Sequence, residues 1–197
     1  MRTGIRPSAL TAAALATAAL LATGCGTARE TAAPVVAPAM TVTAAAEPEQ
    51  VADPVRVRIP RIGVDAAVRA LELDPHGVLP PPPTNHDTGW WRAGPEPGEA
   101  GPAVVVGHVD SREGPAVFFR LRDLDPGDRI AVDRADGTTA EFTVGRTERY
   151  GKNSFPTAEV YGDTPNAQLR LITCGGAFDR RSGHYLDNVV VYADRIG

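Results

Sequence analysis

Clustered positive charge is absent from this sequence. Its 20 Lys and Arg residues are outnumbered by 24 Asp and Glu, which gives a formal net charge of −4 and a pI near 5.6. The charges are scattered along the chain, as on a solvated surface. A phosphate-binding face needs grouped Lys and Arg, so the sequence argues against nucleic acid as a partner.

Aromatic residues and long apolar runs are also scarce. Aromatics make up 6% of the chain, whereas Gly (20) and Pro (18) are numerous, as expected of frequent turns between short strands. The uncharged run at residues 7–24 follows Arg2 and Arg6. It is shorter than the roughly 20 apolar residues of a spanning helix, and a basic start before a short apolar stretch is typical of an export signal.

The apolar run ends at Cys25, in the sequence Leu-Ala-Thr-Gly-Cys. This ending resembles a bacterial lipoprotein signal, with cleavage before Cys25 and a lipid on its thiol. An uncleaved anchor and plain secretion are the alternatives for residues 1–25. All three place the rest of the protein outside the cytoplasm, and the first two attach it to the outer face of the membrane. Residues 26–53, rich in Ala, Pro and Thr, are expected to be a flexible spacer, and residues 54–197 a single domain.

Cysteine is nearly absent from that domain, which contains Cys174 alone. Exported proteins usually pair their cysteines or lack them, so a lone thiol indicates a possible reactive group. The alternatives are a small buried apolar residue or a disulfide with Cys25.

The patterning of the domain predicts an all-β fold with short helical turns. Residues 55–59 alternate apolar and charged side chains, residues 103–108 and 169–173 are short apolar runs, and Gly137 lies in a hairpin signal between residues 129–133 and 139–147. A short helix is expected at residues 156–161. About eight strands favour a closed β-barrel over a sandwich, because closure removes exposed edges.

Two reactive side chains follow apolar strands and adjoin glycine. His108 follows Gly107, and Cys174 precedes Gly175. A strand end holds a side chain rigidly, and glycine lets a substrate backbone approach. A histidine near a cysteine can pair with the thiolate that acts as nucleophile.

At these residues the chain resembles the sortase family, most closely the class F sortases of Gram-positive actinobacteria. The stretches that carry the resemblance are residues 105–110, 118–121, 124–128, 171–176 and 185–192. The resemblance implies an eight-stranded β-barrel that cuts a sorting peptide such as Leu-Pro-x-Thr-Gly after its threonine. Cys174 would form a thioacyl intermediate that an amine then attacks, and His108 would act as acid and base. Neither a cofactor nor a metal is implied.

The position of the family's catalytic arginine is occupied differently. Counting back from Val189 places it near Asn188, so Arg180 in the loop after the cysteine is the predicted replacement, and Arg181 is predicted to bind substrate. Both could instead be ordinary surface charges.

Other side chains have two interpretations each. Thr173 is either a substrate contact or a half-buried strand residue, and Asp110 either orients His108 or caps a turn. His184 is a weaker alternative base than His108, and His76 and His86 are expected at the surface. Trp90 and Trp91 are expected in the core or at a groove rim.

The sequence therefore predicts an extracytoplasmic cysteine transpeptidase that acts on secreted proteins with a sorting motif and on an amine acceptor. One alternative is another exported Cys/His acyl-transfer enzyme of the L,D-transpeptidase kind, whose usual Ser-x-Gly-Cys-x-Arg pattern is not matched around Cys174. The other is a non-catalytic surface-binding lipoprotein on the same fold.

Overall fold

The computed structural model of the protein describes residues 51–197, which form a closed β-barrel. Its strands are β1 (Pro54–Ile59), β2 (Val64–Leu71), β3 (Thr88–Trp91), β4 (Gly101–Val106), β7 (Arg129–Arg134), β8 (Thr139–Gly151), β9 (Ala167–Asp179) and β10 (His184–Arg195). They pair in the order β1-β2-β3-β4-β9-β10-β8-β7, and β7 pairs back to β1. Two short strands, β5 (Asp110–Ser111) and β6 (Gly114–Pro115), form a separate hairpin. The predicted eight-stranded barrel is confirmed.

Within residues 51–197, helical structure is limited to short segments. The predicted helix at residues 156–161 is present as α1 (Thr157–Tyr161), and single 3-10 turns lie at Pro60–Ile62, Leu121–Asp123 and Lys152–Ser154. No helix within residues 51–197 is long and apolar enough to cross a membrane. The predicted export signal with Cys25, and all but the last three residues of the predicted spacer at 26–53, lie outside the described residues.

Alternation of side chains explains how β1 joins the barrel. Val57 and Ile59 are buried in the core, whereas Arg56 and Arg58 point outward, as expected of a strand with one wet face. Arg58 donates hydrogen bonds to Asp133 on β7 at 2.6 and 3.0 Å. This contact lies across the seam where the barrel closes.

The two apolar runs of the sequence lie side by side in the barrel wall. β4 and β9 are parallel, with Val106 opposite Ile172. Leu171 on β9 belongs to the barrel core, whereas Ile172 belongs to a second apolar cluster that also includes Val160 of α1. Both faces of β9 are therefore covered, which explains why the sequence reads as a continuous apolar run rather than an alternation.

The last two strands extend beyond their predicted ends. A loop was expected after Cys174, but β9 continues to Asp179 and pairs with β10 from His184 onward. The rings of Phe178 and Tyr185 stack edge to face across the pair at 5.1 Å, which supports strand pairing there. Asp179 accepts a hydrogen bond from the Arg181 amide in the turn. The expected loop is thus a hairpin with a tight turn at residues 180–183.

Candidate active site

Cys174 lies in the middle of β9 with a free, half-buried thiol. Side chains alternate along a strand. Because Leu171 and Thr173 face the barrel interior, Cys174 shares the outer face with Ile172. Across the ladder it is paired with Asn188 on β10. A long, doubly paired strand fixes the position of this thiol.

The parallel pairing of β4 and β9 sets the positions of the segments that carry His108 and Cys174. Val106 lies opposite Ile172, and the Gly107 amide still donates a hydrogen bond to the Ile172 carbonyl at 3.1 Å. His108 and Cys174 each lie two residues beyond this last β4–β9 pair. The structure thus places the two side chains on neighbouring segments, and direct contact between them stays a prediction.

Thr173 connects the middle of β9 to the residue that follows β4. Its hydroxyl is buried and donates a hydrogen bond to the Gly107 carbonyl at 2.8 Å. Gly107 itself packs closely, since a Cβ there would lie 2.5 Å from the ring of Phe118. Thr173, which precedes Cys174, is therefore bonded to Gly107, which precedes His108. Substrate contact by Thr173 stays a prediction.

The imidazole of His108 is held by a buried carbonyl. Its Nε2 lies 3.0 Å from the carbonyl oxygen of Pro82, in the proline run before β3. A carbonyl can only accept a hydrogen bond, so Nε2 carries the hydrogen in this contact. In the neutral ring Nδ1 then holds the free lone pair, and Nδ1 is the nitrogen available for proton exchange.

A cavity of about 360 Å³ opens beside Cys174. Its walls come from three parts of the chain: the segment after β4, the middle of β8, and the facing parts of β9 and β10. The residues that matter for its chemistry are Val109, Arg122, Arg149, Thr173, Cys174 and Tyr185. His108 is not part of this lining, although its neighbour Val109 is. A cavity of this size can hold a few residues of an extended peptide.

The two arginines that sequence reasoning selected lie elsewhere. Arg180 and Arg181 are exposed in the turn at the tip of the β9–β10 hairpin, and neither lines the cavity. His184 is exposed at the start of β10, opposite Asp179. The catalytic role of Arg180 and the substrate contact of Arg181 stay predictions. The arginines that do line the cavity, Arg122 and Arg149, were not selected from the sequence.

Among the described residues, Lys152 is the basic side chain that hydrogen-bonds the thiol, and sequence reasoning missed it. Its Nζ lies 3.7 Å from the Sγ of Cys174. Lys152 starts the short turn after β8, and β8 is the strand that pairs with the other side of β10. One signal was available, because Lys152 is the single lysine of the sequence.

Asp110 has a defined partner in the site. Its carboxylate accepts a hydrogen bond from the hydroxyl of Tyr185 on β10. This hydrogen bond, with partial burial and the nearby acidic groups of Asp110 and Cys174, raises the pKa of the Tyr185 hydroxyl. The contact links the segment that carries His108 to the strand opposite Cys174.

Gly176 shapes the strand just past the nucleophile. Its φ is +75°, and a Cβ there would lie 2.1 Å from a carboxylate oxygen of Asp187. Only glycine fits a left-handed position with so close a neighbour. The neighbouring β10 is irregular between Tyr185 and Asp187, so the ladder is offset directly beside the cavity.

The remaining candidates are structural or distant. Trp90 is buried in the core and donates to the Pro95 carbonyl at 3.1 Å, and Trp91 packs edge to face on Tyr161. His76 and His86 are exposed. Among residues 51–197 no group of three or more His, Cys, Asp or Glu side chains is arranged to hold a metal ion.

Comparison with known proteins identifies the family. The family model described as a sortase domain matches residues 57–196. A free cysteine on a barrel strand, with a histidine just past the end of the neighbouring strand β4, agrees with that match. This chain belongs to the sortase family. A search of curated protein sequences gave no match.

Solved sortases have the same fold at low sequence identity. Sortase A from Corynebacterium diphtheriae is 20% identical with a TM-score of 0.58, over 76% of this chain and 63% of that one. Sortase C-1 from Actinomyces oris is 21% identical with a TM-score of 0.57, over 74% and 76%. Sortase C1 from Streptococcus suis is 19% identical with a TM-score of 0.57, over 74% of each chain. The chain thus spans less than two thirds of the Corynebacterium protein.

Proposed function

We propose that this chain is a class F sortase, a cysteine transpeptidase that works outside the cytoplasm. It would cleave a C-terminal sorting motif of the Leu-Pro-x-Thr-Gly kind and transfer the acyl group to an amine, which anchors secreted proteins to the cell wall. The observation that carries the proposal is the free thiol of Cys174 on β9, a strand paired in parallel with β4, which His108 follows by two residues.

The first half of the reaction uses both side chains. The proton of the Cys174 thiol moves to Nδ1 of His108, which leaves a thiolate and an imidazolium. The thiolate attacks the threonine carbonyl of the motif, and a C–S bond forms. The C–N bond to glycine then breaks as His108 gives its Nδ1 proton to the leaving amine. Nε2 keeps its hydrogen throughout and donates it to the Pro82 carbonyl.

The second half reverses these steps with a different amine. The acceptor amine attacks the thioacyl carbonyl, and His108 removes its proton. A new C–N bond forms, the C–S bond breaks, and the thiolate of Cys174 is released. Water in place of the amine would give hydrolysis by the same route.

Attachment to the membrane is the second part of the proposal. A lipid on Cys25 would tether the domain to the outer face, with residues 26–53 as the spacer. The support is the order of basic, apolar and cysteine residues at the start of the sequence. Metabolic labelling with a fatty-acid probe would test it, because Cys25→Ser should abolish incorporation and Cys174→Ser should not.

The activity is tested by trapping the thioacyl intermediate. We expect the purified chain, incubated with a Leu-Pro-x-Thr-Gly peptide, to gain the mass of the acyl fragment, and an added amine to discharge it into a peptide–amine product. Cys174→Ala should form neither species. The other cysteine supplies the control, since Cys25→Ser should react like the parent.

Two outcomes would contradict the proposal. An adduct that persists in Cys174→Ala would place the nucleophile elsewhere. A well-folded parent that captures no peptide from a library of sorting motifs would favour the surface-binding alternative.

A further inference from the structure

We propose that Lys152 is the cation of this active site and that it stabilises the thiolate of Cys174. The inference rests on the proposed function for its catalytic consequence, but not for the contact between the two side chains. The Nζ of Lys152 lies 3.7 Å from the Cys174 Sγ, within hydrogen-bonding range for sulfur. An ammonium group beside a cysteine favours the charged, nucleophilic form of the sulfur.

The placement of Lys152 is set by ordered structure around it. It follows Gly151 at the end of β8, where Gly151 pairs with Asp187 on β10. Just beyond the turn, the ring of Phe155 packs edge to face on Tyr150 at 6.1 Å. The backbone of Lys152 is therefore fixed on both sides, and its side chain reaches across the end of β10 to β9.

No competing anion holds the ammonium group. Within residues 51–197, none of the ion pairs joins Lys152 to a carboxylate. By contrast, Arg149, a cavity-lining cation on β8, pairs with Asp187 at 3.6 Å. The sulfur of Cys174 is thus the partner of Lys152, whereas Arg149 already has a carboxylate.

The choice of lysine is itself unusual in this chain. Of its 20 basic residues, Lys152 is the single lysine, and all others are arginine. An ammonium is a compact charge that can follow one sulfur atom, whereas a guanidinium favours planar carboxylates. The single lysine at the thiol therefore fits a partner that is a point charge.

Thiol reactivity tests this contact without any peptide substrate. The full chain carrying Cys25→Ser leaves Cys174 as its one thiol, and neutral iodoacetamide alkylates the thiolate. We expect Lys152→Met to slow alkylation at pH 7 by about ten-fold, a moderate effect because the contact is exposed. The rate profile should also move to higher pH. Lys152→Arg keeps the charge but presents it on a planar guanidinium, so its rate should fall between those of the parent and Lys152→Met.

A matched control separates this effect from a general loss of charge. Arg92 is exposed and has no ion-pair partner among the described residues, so Arg92→Met removes the same charge away from the thiol. Its profile should superimpose on that of the parent. If the Lys152→Met profile also superimposes, or if Lys152→Arg is as slow as Lys152→Met, the proposal is wrong.

Peptide cleavage by the same variants then tests the catalytic consequence. We expect Lys152→Met to lower kcat by about ten-fold with little change in KM, because the contact is to the nucleophile. If the parent cleaves no peptide, the proposed function fails, while the alkylation profiles still decide the role of Lys152. Unchanged cleavage in Lys152→Met, when the parent is active, would overturn the catalytic part.

Discussion

The part of the β9–β10 hairpin around Cys174, here called its base, and the tip at residues 180–183 differ in their surroundings. At the base, Cys174 is paired with Asn188, lies two residues past the last β4–β9 pair and contacts Lys152. At the tip, Arg180 and Arg181 are exposed in a tight turn. Six residues separate Cys174 from Arg180 in the sequence, and an extended strand of that length spans about 20 Å.

This difference shows why sequence distance misleads in a hairpin. Arg180 is close to Cys174 along the chain, but the strand carries it away from the thiol. Lys152 is 22 residues away along the chain, yet the β8–β10 pairing returns it to within 3.7 Å. Pairing between strands, rather than the length of chain between two residues, decides which cation meets the sulfur.

The largest effect on activity is expected at His108, on the segment that faces the base of the hairpin. In His108→Gln the amide can still donate to the Pro82 carbonyl, but it cannot carry a proton to the leaving amine. We expect kcat/KM for peptide cleavage to fall by about 10²- to 10⁴-fold, with a melting temperature close to that of the parent. Activity within ten-fold of the parent would mean that another group acts as acid and base. His184→Gln would then be the next variant to measure.

An intermediate effect on activity is expected at Thr173, which joins β9 to the residue that follows β4. Thr173→Val keeps the shape of the side chain but removes the hydrogen bond to the Gly107 carbonyl. We expect a loss of about 1 kcal/mol in the free energy of unfolding, and a several-fold lower kcat because Gly107 precedes His108. Urea unfolding and peptide cleavage measure the two effects.

The control for this variant is another strand threonine. Thr143 lies on β8 opposite Arg129, on a strand that does not pair with β4 or β9, so Thr143→Val should leave kcat unchanged. Equal loss of kcat in both variants would mean that Thr173 acts on general stability rather than on His108.

The smallest effect is expected at the tip. Arg180→Ala removes an exposed charge that lines no part of the cavity, so kcat/KM should change by less than about two-fold. Measuring kcat/KM of Arg180→Ala alongside that of Lys152→Met compares the cation at the tip with the cation at the thiol. A larger loss in Arg180→Ala would mean that the tip folds back over bound peptide and that the sequence-based prediction for Arg180 is right.

Much of the barrel could be predicted because most of its strands have a local sequence pattern, either alternation or a short apolar run. The alternation at residues 55–59 and the apolar run at residues 103–108 correspond to β1 (Pro54–Ile59) and β4 (Gly101–Val106), within two residues at each end. The C-terminal end of β9 was harder to predict, since Gly175 and Gly176 resemble the start of a loop. They are instead part of a strand whose pairing is completed by residues about ten positions further on.

The site was predicted in part for the same reason. Cys174 and His108 each adjoin glycine after an apolar run, which is a local signal. Lys152 has no such signal apart from being the single lysine, and its contact exists because β8 and β9 flank β10. Tyr185 and Asp110 are also joined across elements, 75 positions apart in the chain.

The sequence by itself determined the class of fold, the sortase family and a thiol and an imidazole that each adjoin glycine after an apolar run, because periodicity and short motifs are local properties. The tertiary structure alone decided that Lys152 contacts the thiol, that Arg180 lies at an exposed tip, and that Pro82 orients His108. These depend on which strands lie side by side and in which register, and register is fixed by packing across the whole barrel.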